Sequence, residues 1–187
     1  MNHLKDYILV LENIVSDELC ESILNEYKIS EEWREATINQ DTTLNKKIRN
    51  CKILGISIPE VIDKNNEIRK KLDDQLFECA KKSITKYNEI FKNCIISTDS
   101  GYELLKYETG GFYEEHIDSF TSEPRTISCS FILNNDFKGG DFSFFNNTVT
   151  YSLKKGSVIM FPSNFLYPHN IMPITEGTRY SIITWFR

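Results

Sequence analysis

The chain has 187 residues, a length that suits one domain with a sizeable hydrophobic core. Its composition is that of an ordinary globular protein, with 40% hydrophobic, 26% charged and 12% aromatic residues. The formal net charge of -5 disfavours a nucleic-acid-binding protein, because binding to phosphates needs a basic surface.

The five cysteines favour a reducing compartment, because they are scattered, odd in number and form no Cys-x-x-Cys pair. The apolar run at residues 7–11 is too short for a signal peptide, and it is flanked by Asp6 and Glu12. No apolar stretch has the length of a membrane span. No repeat or low-complexity linker divides the sequence. We therefore expect a single domain over residues 1–187, located in the cytoplasm and not in a membrane.

The first half of the chain predicts a strand at residues 7–11 and two helices. Ser16 is placed as the N-cap of the first helix, with Asp17 and Glu18 in the first turn, where carboxylates favour the helix dipole. Apolar residues then recur at helical spacing. A longer helical pattern covers residues 68–91. The apolar positions of the two helices are Leu19, Cys20, Ile23, Leu24 and Tyr27, and Ile68, Leu72, Leu76, Ala80, Ile84, Tyr87 and Phe91.

Residues 31–58, between the helices, are polar and weakly patterned, with Trp33 as the main apolar anchor and a strand expected near residues 53–58. They predict either a long hairpin or a cover over a binding site.

The second half has the pattern of short strands separated by turns. The strands are expected at residues 102–107, 126–133, 141–145, 148–153, 157–161 and 179–186. Asn146-Asn147 predicts a tight hairpin, and Glu176-Gly177 predicts a turn before the last strand. Helices followed by antiparallel strands indicate an α+β domain whose β part is a small barrel or jelly roll.

The chain contains three histidines, of which His3 is terminal. If the segment around His116 is extended, His116 and Asp118 project from the same face of the backbone. Two histidines and one carboxylate, with three positions left open, form the metal site of non-haem Fe(II) oxygenases. His169 is the remaining candidate for the second histidine. Taken alone, a His-x-Asp pair arises by chance in many proteins, and His169 taken alone is better explained as a core histidine bonded to backbone.

Arg179 follows His169 by ten positions (179 − 169), at the start of the last apolar strand. In a strand, Arg179 and Ser181 share one face with Ile183 and Trp185. A buried arginine needs an anion, and the guanidinium group fits a carboxylate with two hydrogen bonds. This pattern predicts a dicarboxylate ligand. The alternative is an ion pair with an acid of the protein, for which the sequence offers no obvious candidate.

Residues 101–187, nearly half of the chain, resemble the catalytic core of the Fe(II)- and 2-oxoglutarate-dependent dioxygenases, in the prolyl 4-hydroxylase-like branch. The matching strings are YETGGFY at 107–113, leading into His116 and Asp118, then FILN at 131–134, GGDF at 139–142, GSVIMFP at 156–162, HNIMP at 169–173 and GTRYS at 177–181. Residues 14–24 resemble the helical start of these enzymes less specifically.

The resemblance implies a double-stranded β-helix (a jelly-roll or cupin-like barrel) over residues 96–187, with N-terminal support helices and a variable cover segment in residues 1–95. It also implies that His116, Asp118 and His169 are catalytic iron ligands. Tyr107 and Arg179, and less strongly Ser181, would bind 2-oxoglutarate. The implied cofactors are Fe(II), 2-oxoglutarate and O2, with ascorbate as a candidate reductant, and the implied reaction hydroxylates a C–H bond.

The sequence departs from this family pattern at two positions. Arg179 stands where collagen-type members usually have lysine, and Ile132 stands where some members have a second tyrosine for the cosubstrate. The contact of that second tyrosine is therefore absent or supplied elsewhere. Neither change removes an expected iron ligand, and the carboxylate of Asp118 argues against halogenation.

The leading hypothesis is a peptidyl prolyl 4-hydroxylase with a peptide or protein substrate. A hydroxylase of a free amino acid or another small molecule is the main alternative. A nucleic-acid dealkylase is disfavoured, since Trp185 stands where those enzymes usually have a second arginine. A non-catalytic binding barrel is the alternative from another class. Residues 31–58 and 119–124 are candidate covers of the site. The oligomeric state and the substrate stay open.

Overall fold

A computed structural model of the chain describes residues 3–38, 43–57 and 67–187. After a short 3-10 helix (Leu4–Tyr7), two α-helices and thirteen strands are found within these ranges. The helices are α1 (Asp17–Tyr27) and α2 (Glu67–Ile90). The strands are β1 (Leu9–Leu11), β2 (Arg34–Glu35), β3 (Arg49–Asn50), β4 (Lys52–Gly55), β5 (Glu103–Glu108), β6 (Phe112–His116), β7 (Ile127–Ile132), β8 (Phe137–Gly139), β9 (Phe142–Phe144), β10 (Val149–Tyr151), β11 (Val158–Pro162), β12 (His169–Ile171) and β13 (Ile174–Phe186).

The strands form two antiparallel sheets that pack against each other. The larger sheet has the order β1-β11-β7-β13-β5-β4-β2, and β8 also pairs with β13. The smaller sheet has the order β10-β9-β12-β6-β3. Apolar side chains from both sheets, such as Phe161 of the larger and Phe144 of the smaller, share one buried cluster. This arrangement confirms the predicted α+β class with a double-stranded β-helix.

The larger sheet also has a second apolar face, which packs against the helices. Alternate residues of a strand point to opposite sides, so Phe131 and Ile182 join the cluster under α1 and α2, whereas Ile183 joins the cluster between the sheets. The larger sheet is therefore buried on both faces, and the interior of the barrel is separated from the helices.

Both predicted helices are confirmed. The Ser16 hydroxyl accepts a hydrogen bond from the Leu19 amide at 3.2 Å, which makes it the N-cap of α1. The buried stripe of α2 begins at Leu72, and Ile68 is left exposed. Within the described ranges, neither helix combines the length and the apolar character needed to span a bilayer.

The N-terminal half contributes strands as well as helices. Strand β1 pairs with β11 at one edge of the larger sheet, and β4 and β2 extend the other edge beyond β5. Strand β3 pairs with β6 in the smaller sheet. The weakly patterned segment at residues 31–58 therefore extends both sheets where it is described, and Ile58 lies outside the described residues.

Two predicted turns have different outcomes. At the hairpin between β9 and β10, Phe145, Asn146 and Asn147 all have φ between 54° and 62°, in the left-handed region, as expected for this tight connection. The predicted turn at Glu176-Gly177 is wrong, because β13 runs through it. Gly177 is needed there because a Cβ atom would lie 2.3 Å from the Asp136 carbonyl oxygen, where the β8 segment passes close by.

Candidate metal centre and anion pocket

The three predicted metal ligands lie together at one end of the barrel interior. His116 ends β6, His169 begins β12, and the two residues are direct cross-strand neighbours in the smaller sheet. The Nε2 atoms of His116 and His169 lie 3.5 Å and 3.6 Å from different oxygens of Asp118. The ligand atoms of all three residues lie within 4.8 Å of one another. This geometry can hold one metal ion.

Backbone carbonyl groups orient both imidazole rings. Nδ1 of His116 lies 2.9 Å from the Glu114 carbonyl oxygen, and Nδ1 of His169 lies 3.1 Å from the Tyr167 carbonyl oxygen. A proton on Nδ1 is therefore donated to backbone, and the lone pair on Nε2 stays free for a metal. The ring of Tyr113 stacks on His116 with centroids 3.5 Å apart, which restricts the ring plane.

A hydrogen-bonded serine pair fixes the carboxylate of Asp118. The Ser128 hydroxyl donates to Asp118 Oδ2 at 2.6 Å and also contacts the Ser163 hydroxyl at 2.8 Å. Arg125 Nη1 donates to the Asp118 carbonyl oxygen at 3.2 Å, so the backbone of this residue is held as well. Such outer contacts set the direction in which a carboxylate meets a metal ion.

The electrostatics keep the two buried ligands in metal-binding forms. Burial alone would raise the pKa of Asp118, but His169, His116 and the hydrogen bond from Ser128 outweigh it and hold the pKa well below its usual range. Burial, followed by the charge of His116, lowers the pKa of His169 to about 4. At neutral pH Asp118 is an anion and His169 is uncharged, as metal coordination requires.

Arg179 lies at the bottom of the same cavity and is 2% exposed. Its Nη1 atom donates to the Ser181 hydroxyl at 2.8 Å, whereas its buried Nη2 atom has no hydrogen-bond partner. No acidic side chain in the described part of the chain forms an ion pair with it. A buried cation in this state would be stabilised by an anion bound in the cavity.

Tyr107 is the cross-strand neighbour of Arg179, and its ring lies 5.4 Å from the guanidinium carbon. Burial, together with the nearby Cys51 thiol, raises the pKa of Tyr107 well above its usual value. The hydroxyl group is therefore protonated and able to donate to the same anion. The ring of Phe142 lies 5.4 Å from the guanidinium carbon of Arg179 and 6.3 Å from the His169 ring. Phe142 therefore lies between the metal centre and the candidate anion pocket formed by Tyr107, Arg179 and Ser181.

The cavity that contains these groups has a volume of about 470 Å³. The strand parity predicted for β13 is confirmed, since Arg179, Ser181, Ile183 and Trp185 all line it. Both candidate cover segments contribute to the lining. The first segment provides Arg34, Glu35, Thr37, Arg49 and Ile53, and the second provides Phe120 and Glu123. Whether they move as a lid stays a prediction.

Sequence reasoning missed four charged or polar residues around the cavity: Arg49, Glu103, Arg125 and Ser128. Glu103 could have been found, because it shares strand parity with Tyr107. Ser128 could also have been noticed as a polar residue inside a continuous apolar strand. Arg49 belongs to a strand of two residues, which carries no periodic signal.

Comparison with known proteins agrees with this geometry. Residues 102–187 match the sequence model of the 2OG-Fe(II) oxygenase superfamily. A PKHD-type hydroxylase from Idiomarina loihiensis is 29% identical over 88 residues, which are 44% of this chain and 39% of that protein. Prolyl 3-hydroxylase 2 from Homo sapiens is 37% identical over 67 residues, which are 33% of this chain and 10% of that protein. The chain thus spans less than half of the length of either curated relative.

Among solved structures, the fold is similar to that of a prolyl hydroxylase in complex with a hypoxia inducible factor oxygen degradation domain peptide fragment, from Trichoplax adhaerens. The TM-score is 0.78 at 20% sequence identity, over 96% of this chain and 83% of the other. At this identity the likeness establishes the fold.

Proposed function

We propose that this chain, whose residues 102–187 match the sequence model of the 2OG-Fe(II) oxygenase superfamily, is a hydroxylase of prolyl residues in peptides. The observation that carries the proposal is the meeting of three metal-ligand side chains and an unpartnered buried arginine in one cavity. A metal site alone fits many activities. A metal site beside a pocket for a carboxylate fits the use of 2-oxoglutarate.

His116, Asp118 and His169 hold Fe(II) through two Nε2 atoms and one carboxylate oxygen. This donor set suits non-haem Fe(II), because it neutralises part of the charge and leaves adjacent positions open. Support comes from the short mutual distances and from the backbone contacts that keep both Nε2 atoms free. Asp118 enters the site already ionised, so metal binding releases no proton from it.

Arg179 and Tyr107 hold the distal carboxylate of 2-oxoglutarate. Nη2 of Arg179 is the free donor, and Ser181 keeps the guanidinium group in place through Nη1. The hydroxyl of Tyr107 donates a further hydrogen bond. Phe142, between the two sites, excludes water from the middle of the cosubstrate.

When bound together, Fe(II), 2-oxoglutarate and O2 supply the oxidising chemistry, which forms succinate and CO2 and places one oxygen atom in a substrate C–H bond. The contribution of the chain is orientation and a dry cavity. Apolar groups such as Ile183, Leu105 and Phe161 line the space between the charged groups, and they keep water away from the reacting carbon.

A peptidyl prolyl residue is proposed as the substrate, with carbon 4 as the position of hydroxylation. Two relatives or structural neighbours support this choice by their names: a prolyl 3-hydroxylase, and a prolyl hydroxylase bound to a peptide fragment. Because one of these relatives is a prolyl 3-hydroxylase, carbon 3 is the alternative position of hydroxylation. Product analysis by NMR distinguishes the two hydroxyprolines.

The single domain over residues 1–187 and the cytoplasmic location are kept as parts of this proposal. Five free cysteines, three of them buried, support a reducing environment. The reaction then draws on the 2-oxoglutarate, Fe(II) and reductant of that compartment.

The function is tested by measuring succinate formation from 2-oxoglutarate with Fe(II), ascorbate and proline-containing peptides. We expect a peptide-dependent signal that His116→Ala reduces by about a hundredfold or more, because two ligands hold the metal poorly. The matched control is His3→Ala, since His3 is an exposed histidine that does not line the cavity. Correctly folded protein that binds metal but forms no succinate with any peptide would contradict the proposal.

A further inference from the structure

Strand β5 presents a carboxylate to the same cavity wall that carries Tyr107. Glu103, Leu105 and Tyr107 alternate along β5, and all three line the cavity, whereas Leu104 packs under the helices. Glu103 lies between Ile183 of β13 and Gly55 of β4 in the larger sheet. At about 3.4 Å per residue, it is roughly 13 Å along the strand from Tyr107. It therefore lies outside the pocket for the cosubstrate.

The Glu103 carboxylate is half-buried and forms neither a hydrogen bond nor an ion pair with any residue in the described ranges. Other acids of the cavity wall have direct partners. Glu35 pairs with Lys46 at 2.9 Å, and Glu123 pairs with Arg125 at 3.0 Å. Glu103 thus resembles Arg179 in lining the cavity without an ion-pair partner among the described residues.

The arginines of the cavity wall are held by other contacts. Arg49 donates to the Thr37 carbonyl oxygen at 3.0 Å and stacks on Tyr113. Arg125 stacks on the Trp185 ring at 3.5 Å and pairs with Glu123. Arg34 is exposed to solvent. These cations act on Glu103 only from beyond ion-pair distance, and burial still raises its pKa above the usual value. A cation placed against this carboxylate would offset the cost of its burial.

We propose that Glu103 is a substrate-binding residue that receives an ammonium or guanidinium group of the substrate. The assignment rests on the proposed function and narrows its substrate class to positively charged molecules. Glu103 and the three metal ligands line the same cavity, and Arg125, whose charge acts on Glu103, stacks on Trp185 and donates to the Asp118 carbonyl oxygen. A cation held by Glu103 therefore belongs to a molecule in the cavity that contains the metal centre. Two sources supply this chemistry: a lysine or arginine side chain near the target residue of a peptide, or a free basic amino acid.

The test compares peptides that each contain one proline and carry either lysine or its uncharged analogue norleucine at one flanking position in turn. We expect lysine to increase kcat/KM by about tenfold or more at one position, because a hydrogen bond between charged groups is strong when partly desolvated. Glu103→Gln should abolish this ratio, and Glu103→Lys should shift the preference towards a peptide with glutamate at that position. Glu108→Gln is the matched control. Glu108 lies on the same strand, exposed and outside the cavity, and its variant should keep the ratio.

Free lysine and free arginine form the second arm of the experiment, measured by succinate formation and by calorimetric binding. If they act in a Glu103-dependent manner and no peptide does, the assignment of Glu103 stands and the peptidyl function fails. Peptides that are hydroxylated with equal efficiency whatever their charge would support the function and overturn the assignment. A lysine preference that persists in Glu103→Gln would also overturn it, as would the absence of any Glu103-dependent binding by both kinds of probe.

Discussion

Ser128 of β7 and Ser143 of β9 are both fully buried, but only Ser128 contacts a candidate metal ligand. Its hydroxyl donates to Asp118 Oδ2, while the Ser143 hydroxyl has no partner among the described residues. The same substitution at the two positions therefore separates the loss of a buried hydroxyl group from the loss of a contact to the site.

We predict that Ser128→Ala weakens metal binding by about tenfold to a hundredfold, because the carboxylate of Asp118 loses the donor that sets its direction. Calorimetric titration with Mn(II) measures the effect. Ser143→Ala should leave metal affinity unchanged, and its stability should not fall, since it removes an unsatisfied buried hydroxyl. Equal metal affinities for the two variants would mean that Ser128 does not orient Asp118.

Side-chain chemistry explains which residues of the site could be predicted from the sequence. His116 and His169 could be predicted because histidines are few, and Asp118 because it lies two positions after His116, although β6 ends at His116 and Asp118 lies in the bend that follows. Arg179 was predictable because a charge at the start of an apolar strand needs a partner. Arg125 could not, because its role depends on a stack with Trp185 across 60 positions of sequence (185 − 125). Local patterns contain no information on such pairs.

Among the elements, the connection between β8 and β9 packs against the side chain of Arg179 through Gly140. Gly140 has φ of 71°, and a Cβ atom there would lie 2.8 Å from Cδ of Arg179 and 2.4 Å from Cδ1 of Ile174. The turn thus leaves room for the arginine side chain. Gly110, in the turn between β5 and β6, has φ of 82°, but a Cβ atom there would meet nothing within 4 Å.

We predict that Gly140→Ala raises the KM for 2-oxoglutarate by about tenfold or more, since displacing Arg179 by a fraction of an ångström misplaces the carboxylate. Steady-state kinetics at saturating peptide measure it. Gly110→Ala is the control, because both substitutions cost about 1–2 kcal/mol of backbone strain at positive φ, but only the first reaches the pocket. An unchanged KM in Gly140→Ala, in a folded protein, would show that Arg179 does not depend on this turn.

The elements themselves could be predicted where their period was long enough. Helices α1 and α2 and strands β7, β9, β10 and β11 lie within a few residues of their predicted bounds, because apolar alternation and turn residues marked both ends. Strand β8 has three residues beside two glycines, and β2 and β3 have two residues each. Such strands exist because a neighbour pairs with them, and that neighbour is distant in sequence. The same cause accounts for the wrong turn at Gly177, where β8 approaches β13.

At the scale of the whole molecule, the cavity is assembled from distant parts of the chain. Arg34, Glu35, Thr37, Arg49 and Ile53 provide one side, and residues from 103 to 185 provide the rest of the lining and the metal centre. Composition and periodicity predicted the class of fold, but the order of strands in the two sheets depends on pairings such as Leu9 with Met160, which no local pattern specifies. The resemblance to the dioxygenase core supplied the topology that periodicity alone could not.

The central claim is that the metal centre and Arg179 act as two ends of one binding site for 2-oxoglutarate. Calorimetric titration of 2-oxoglutarate into the protein, with Mn(II) in place of Fe(II) to avoid oxidation, tests it most directly. We predict that one molecule binds per chain. The Kd should be about tenfold or more higher when Mn(II) is omitted, and also in Arg179→Gln, because each change removes the contacts at one end of 2-oxoglutarate. The control Arg187→Gln, which alters an exposed arginine outside the cavity lining, should bind as the unmodified chain does. Binding of 2-oxoglutarate with the same Kd in the absence of metal, or unchanged by Arg179→Gln, would contradict the account.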